Sequence, residues 1–232
     1  TLNVFKACLK SKSVKRVVFT SSISTLTAKE YITGNWRSVV DESCQTPVDH
    51  VWNTKASGWI YVLTKRLTEE AAFKFANENH IDLVSVITST VAGPSLTLDV
   101  PSSIRVLLSP ITGEPETFRI LSAVNARIGS IALVHIEDIC SAHIFLMEHA
   151  KAEGRYICCA QNCQMSKLVE HLAGEYPCSN IRSVEKEENL VPHEISSRKL
   201  RDLGFNYKHG LQDIIHETIT SCLEYGFLPP AK

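Results

Sequence analysis

Tyr61 and Lys65 stand four residues apart in GWIYVLTKRLTEEAAFKFA, and Ser22 closes the short run RVVFTSS upstream of them. Residues four apart on a helix share a face. The Lys65 ammonium is therefore expected beside the Tyr61 phenol, where it favours the phenolate and makes the tyrosine a usable proton donor. Ser22, at the exposed end of a strand, is placed to hold a carbonyl by a hydrogen bond while a nicotinamide delivers hydride. The chemistry implied is carbonyl reduction. A chain with six tyrosines meets a lysine four residues on readily by chance, so the assignment depends on the elements that position these side chains.

Those elements alternate. An amphipathic opening segment (Leu2, Val4, Phe5, Cys8, Leu9) predicts a helix, and VKRVVF over 14–19 has the β-branched, nearly continuous apolar character of a buried parallel strand. Residues 23–57 read as a polar, irregular loop in which Asp41 and Glu42 are solvated charges. A helix is expected over 59–79, with Leu67, Ala71 and Phe75 as its apolar stripe, then a second buried strand in IDLVSVI (81–87). Helix, strand, helix, strand is βαβ alternation and predicts a parallel sheet with right-handed crossovers. Further on, a short helix near 102–109 and a variable stretch 110–128 precede a strand ending SIALVH. Asp138 then reads as the N-cap of a helix, RYICCA (155–160) as a strand, and 165–175 as a helix. A terminal helix is expected from Leu211, with Ile214, Ile215, Cys222 and Leu223 on its stripe and Gly226 as its C-cap. His135 and Asp138 are read as structural. The loops within 91–128 follow strand ends, where open α/β sheets bind ligands, and are a candidate substrate wall.

Composition narrows the classes. With 232 residues, 44% of them hydrophobic, and a net charge of −1, the chain can bury a substantial core and has no electrostatic footprint for nucleic acid. No apolar run reaches the ~18 residues of a membrane span, so membrane insertion is not expected and a cytoplasmic protein is. Eight cysteines without C-x-x-C pairs or zinc-site spacing imply no metal and are read as reduced, mostly buried residues. The chain opens at Thr1 inside a helical pattern, which reads as a fragment.

VKRVVFTSS, GWIYVLTKRLTEEAAFKFANENHIDL, VAGPSLTLDVPSSI, VHIEDICSAHIF and GRYICCA, in this order, closely resemble the plant anthocyanidin reductase and dihydroflavonol reductase group of extended short-chain dehydrogenases. The resemblance implies an α/β fold: a partial Rossmann-type parallel sheet lacking its N-terminal strands (1–91), and a smaller C-terminal α/β substrate lobe (92–232) with segments near 130–150 returning to the first part. It implies NADPH as hydride donor, a small flavonoid as substrate, and Ser22, Tyr61 and Lys65 as the catalytic set. Tyr61, Lys65, Thr88 and Ser89 would contact the cofactor; Ser22, Ile23 and Thr27 would contact substrate. Thr88 stands where the family usually has proline, Ile23 where a smaller residue is usual, and Thr27 where dihydroflavonol reductases typically place asparagine. The implied activity is therefore most like anthocyanidin reduction. Dihydroflavonol or cinnamoyl-CoA reduction, or an inactive cofactor-free product, are the alternatives.

None of the ten glycines forms the family's G-x-x-G-x-x-G turn, which carries a dinucleotide pyrophosphate to a helix N-terminus. Two or three hydrogen bonds from Lys65 and the 88–89 backbone, each contributing a net ~1 kcal/mol, do not offset the ~4 kcal/mol or more of freedom lost on binding. Titration of these 232 residues with NADPH, followed by fluorescence or heat, is expected to show no saturation in the micromolar range. A clear micromolar dissociation constant would refute this.

Overall fold

The computed structural model describes residues 1–31, 33–97, 99–177, 181 and 194–230. Helix α1 (Leu2–Ser11) buries Phe5 and ends at Lys12 in the left-handed conformation. Strand β1 (Val17–Thr20) runs into a 3-10 turn at Ile23–Thr25. Then come β2 (Val39–Val40), α2 (Val48–Thr54), α3 (Trp59–Glu78), β3 (Leu83–Thr88) and β4 (Thr90–Ala92). The second half contains α4 (Ser102–Thr112), α5 (Pro115–Ile128), β5 (Ile131–His135), α6 (Ile136–Glu148), β6 (Gly154–Cys158) and β7 (Gln161–Cys163). It continues with α7 (Met165–Glu175), β8 (Glu194–Ile195), α8 (Arg198–Asp202) and α9 (Leu211–Glu224).

The expected parallel sheet is present in the order β1-β3-β6, with Val17 opposite Leu83 and Val84 opposite Gly154. The chain leaves it twice. After Ser89, β4 continues into a second sheet, β4-β5-β7, in which β7 is antiparallel; β6 makes the same passage through Cys159 and Ala160. Adjacent strand residues point to opposite faces, so Cys158 joins one buried cluster, with Val84, Val86 and Tyr156, while Cys159 joins another, with Ile23 and Ile87. A third cluster lies under α4, α7 and α9, built on Leu107, Leu108, Leu133, Leu168, Ile214 and Ile215. Each such side chain contributes roughly 1.5–3 kcal/mol on burial. Among the described residues, no helix is long and apolar enough to cross a membrane.

Several expectations need correction. The 23–57 segment is not an irregular loop: Ile23, Leu26, Ala28, Val40 and Cys44 pack with Ile87 and Ile157, in a spacing that matches neither 2 nor 3.6 residues and so leaves no periodic trace. The 110–128 stretch forms α5, separated from α4 by Gly113 at φ 76° and opened by Pro115 in its first turn. Helix α6 starts at Ile136, capped by His135 rather than Asp138. The buried face of α3 is Val62, Glu69, Ala72 and Ala76, and Leu67 is exposed. In α9 Thr218 and Ile219 lie inside, Leu223 is exposed and the C-cap is Tyr225. Cys178 lies outside the described residues; the other seven cysteines are free thiols, five of them buried. Burial pushes Cys158 and Cys159 up to about 12, and Cys163 and Cys222 to about 11.

Glu42 is the most consequential correction. Asp41 is a surface carboxylate held below its usual range chiefly by the Ser43 hydroxyl, but Glu42 is bound into the sheet. Its carboxylate accepts the Ile157 N–H at 2.9 Å and its carbonyl accepts the Arg155 Nη1–H. Arg155 Nη2 also donates to Glu69 at 2.8 Å and to Thr25 Oγ1 at 3.2 Å, and Ser85 Oγ donates to the other Glu69 oxygen at 2.6 Å. Glu69 is 2% exposed. Removing one member of a buried pair leaves the other charge uncompensated, at a cost of about 3–5 kcal/mol. Glu69→Ala is expected to lose about that much in urea denaturation. Glu70→Ala, which removes a more exposed i,i+4 partner of Arg66, should lose less than about 1 kcal/mol; equal losses would contradict this role of Glu69.

Candidate active site

β1 delivers Ser21 and Ser22 at its carboxyl end, and α3 packs against the 3-10 turn that follows. Ser22 caps that turn: its Oγ accepts the Ser24 N–H at 3.2 Å. Ser22 is 7% exposed, buried rather than at an open strand end as expected; with its oxygen used as acceptor, its hydroxyl proton remains to be donated. Lys65 reaches across from α3, donating from Nζ to the Thr20 carbonyl at 3.2 Å, and the same ammonium stands 5.9 Å from the Tyr61 ring centroid. The i,i+4 pair therefore shares a face as expected, and that face meets the strand end that carries Ser22. Tyr61 is 54% exposed, so its phenol is open to a ligand.

The neighbouring strand end is tied to the first. Thr88 Oγ1 donates to the Ser21 carbonyl at 3.2 Å. Both donors of Ser89, its N–H at 3.1 Å and its Oγ at 3.0 Å, go to the Cys158 carbonyl. Lys65 spends one of its three N–H donors on Thr20, so the ammonium retains donors for the hydroxyls of a ribose. Tyr61 and Lys65 thus fit a nicotinamide nucleotide, whereas Ser89 has its donors engaged. Ile23 and Thr27 face inward: Ile23 is in the core, and Thr27 Oγ1 donates to the Arg127 carbonyl at 3.3 Å and accepts the Lys29 N–H at 3.1 Å. The Ser21 hydroxyl is buried without a partner.

A second polar cluster surrounds His135. Gly93 approaches it so closely, at φ 126°, that a Cβ there would lie 2.7 Å from His135 Nε2. The His135 ring stacks on His209 with centroids 3.8 Å apart, and its Nε2 is 3.3 Å from Glu217. These three groups lie close enough to suggest a metal site. Stacked imidazoles, however, direct their lone pairs along parallel planes and cannot both aim at one ion. Asp138 supplies the cluster's purpose: it accepts the N–H groups of Lys208 at 2.9 Å and His209 at 3.1 Å, fastening the chain entering α9. The crevice of about 620 Å³ lined by Glu42, Arg66, Glu69 and Arg155 is likewise structural, since these charges answer one another. Neither Asp138's acceptor role nor the Glu69–Arg155 pair leaves a sequence motif. A charged residue on the apolar side of a helix was the available signal. Asp138→Ala removes the acceptor of two partly buried N–H groups, so a stability loss of about 1–3 kcal/mol by urea denaturation is expected; a loss under roughly 0.5 kcal/mol would exclude this role.

Comparison with known proteins shows the family to which the chain belongs. The model of a family described as NAD dependent epimerase/dehydratase matches residues 1–159. The chain is 40% identical over 231 residues to an anthocyanidin reductase ((2S)-flavan-3-ol-forming) of Vitis vinifera, covering 98% of this chain and 67% of that protein. It is 39% identical over 230 residues to dihydroflavonol 4-reductase of Arabidopsis thaliana, covering 98% and 57%. Among solved structures it is similar to vestitone reductase from alfalfa (Medicago sativa L.), with a TM-score of 0.79 and 31% identity over 98% of this chain and 70% of that one. The chain spans 57 to 67% of the length of the curated relatives it matches.

Proposed function

The chain belongs to the NAD dependent epimerase/dehydratase family, and from that membership we propose that it serves an NADPH-dependent reduction of flavonoids, most like that of anthocyanidin reductase. The observation that supports this reading is the reach of Lys65 from α3 to the Thr20 carbonyl at the end of the strand that leads into Ser22, with the Tyr61 ring 5.9 Å from the same ammonium. The bound nicotinamide supplies hydride. Tyr61 gives the proton, Lys65 holds the ribose, and Ser22 donates to the substrate oxygen where negative charge develops. Residues 1–91 form the nucleotide-domain side of this arrangement and 92–232 mainly the substrate side. The preference for NADPH over NADH rests on the sequence resemblance, as does the choice of anthocyanidin over dihydroflavonol.

The test uses the product of the whole reading frame with NADPH and three substrates: an anthocyanidin, a dihydroflavonol and cinnamoyl-CoA. The anthocyanidin is expected to have the highest kcat/KM; a higher value with either of the others moves the assignment to that substrate. Tyr61→Phe keeps the ring and removes the acid, so kcat should fall by about 10²-fold or more with the fold intact by circular dichroism. Near-normal turnover would exclude Tyr61 as the proton donor.

A further inference from the structure

A cavity of about 310 Å³ lies between α2, the first turn of α3 and the end of α5. Trp59 and Val62, which flank Tyr61 along α3, form one wall, and Val51 and Ala123 add further apolar surface. The polar lining is one-sided. Lys29 and Arg127 bring two cations, the His50 ring stacks on Tyr31 with centroids 3.6 Å apart, and none of the described lining residues is acidic.

Arg127 is the key group. Its main chain is fixed, because its carbonyl accepts the Ala28 N–H at 3.1 Å and the Thr27 hydroxyl at 3.3 Å. Its guanidinium has Nε and Nη2 buried without a hydrogen-bond partner. Burial lowers the group to about 10, which still leaves it protonated at neutral pH. A buried charge with no acceptor is costly and is tolerated where something else supplies one. Arg127 lines the cavity, and a guanidinium short of acceptors calls for an anion such as a carboxylate. His50 reports the same excess of positive charge: burial and then the nearby Lys29 hold it below the usual histidine value.

We propose that this cavity binds a small aromatic carboxylate, with the Arg127 guanidinium and Lys29 as the two cations that answer its charge and the ring against Trp59 and Val62. The site is separate from the Ser22 hydroxyl and does not depend on the reductase reading.

The probes are benzoate and its neutral isostere benzamide, titrated into the chain by calorimetry at ionic strength matched with sodium chloride. Benzoate is expected to saturate and to bind at least about tenfold more tightly than benzamide, as charge-assisted contacts to Arg127 and Lys29 require. Arg127→Lys keeps the charge but loses the planar guanidinium and should weaken benzoate by about tenfold; Arg127→Met should abolish saturation. If Arg127→Met does not fold, Lys29→Met decides in its place, with an expected loss of about threefold or more from the second cation. Equal binding of the two probes, failure of benzoate to saturate, or unchanged affinity in the Arg127→Lys chain would each overturn the proposal.

Discussion

The buried ion pair of Glu69 with Arg155 is the constraint on which the arrangement of this molecule turns. One carboxylate on the inner face of α3 is satisfied from two strands at once, by Ser85 on β3 and Arg155 on β6, and the same guanidinium reaches Thr25 in the 3-10 turn and the Glu42 main chain. Such pairs add little net stability against an apolar alternative, because desolvation offsets the attraction. What this one supplies is register. A helix held only by Val62, Ala72 and Ala76 can slide or rotate with little change in buried area. A carboxylate with two directional partners cannot.

Register matters because Tyr61 and Lys65 lie on that helix. Glu69 is one turn beyond Lys65, so fixing one fixes the direction in which the other projects. Lys65 then closes the connection by donating to Thr20 at the end of β1. The strand ends are cross-tied as well, Thr88 to Ser21 and Ser89 to Cys158, where the chain passes from one sheet into the next. The candidate site thus sits at the place where the backbone is most heavily fastened. A side chain as exposed as Tyr61 owes its position to what lies behind it rather than to its own contacts.

The parts of this plan that repeat were legible from sequence. VKRVVF and IDLVSVI announce two parallel strands by unbroken β-branched apolar character, and Tyr61 and Lys65 announce one helix face by spacing. What escaped reading depends on contacts distant in sequence. Glu42 looks like a loop charge until Ile157, 115 residues away, is placed against it. Asp138 has the composition of an N-cap and instead holds a turn 70 residues downstream. Leu67 reads as core by hydropathy, yet the inner face of α3 is set by Glu69, a residue that periodicity assigns to solvent. Arg127 is the same kind of exception, a cation whose burial no local pattern foretells.

The buried thiols have a consequence of a different kind. Cys158, Cys159 and the pair Cys163 and Cys222 fall in three separate hydrophobic clusters. With their thiolates suppressed by burial, they react only when the surrounding layer opens. Each layer therefore carries its own clock. The order in which these positions acquire an alkylating label under native conditions gives the order in which the clusters open, and their rates give the free energy of each opening. Resolved by mass, the native cysteines map the hierarchy of local stability in this chain without a single introduced probe.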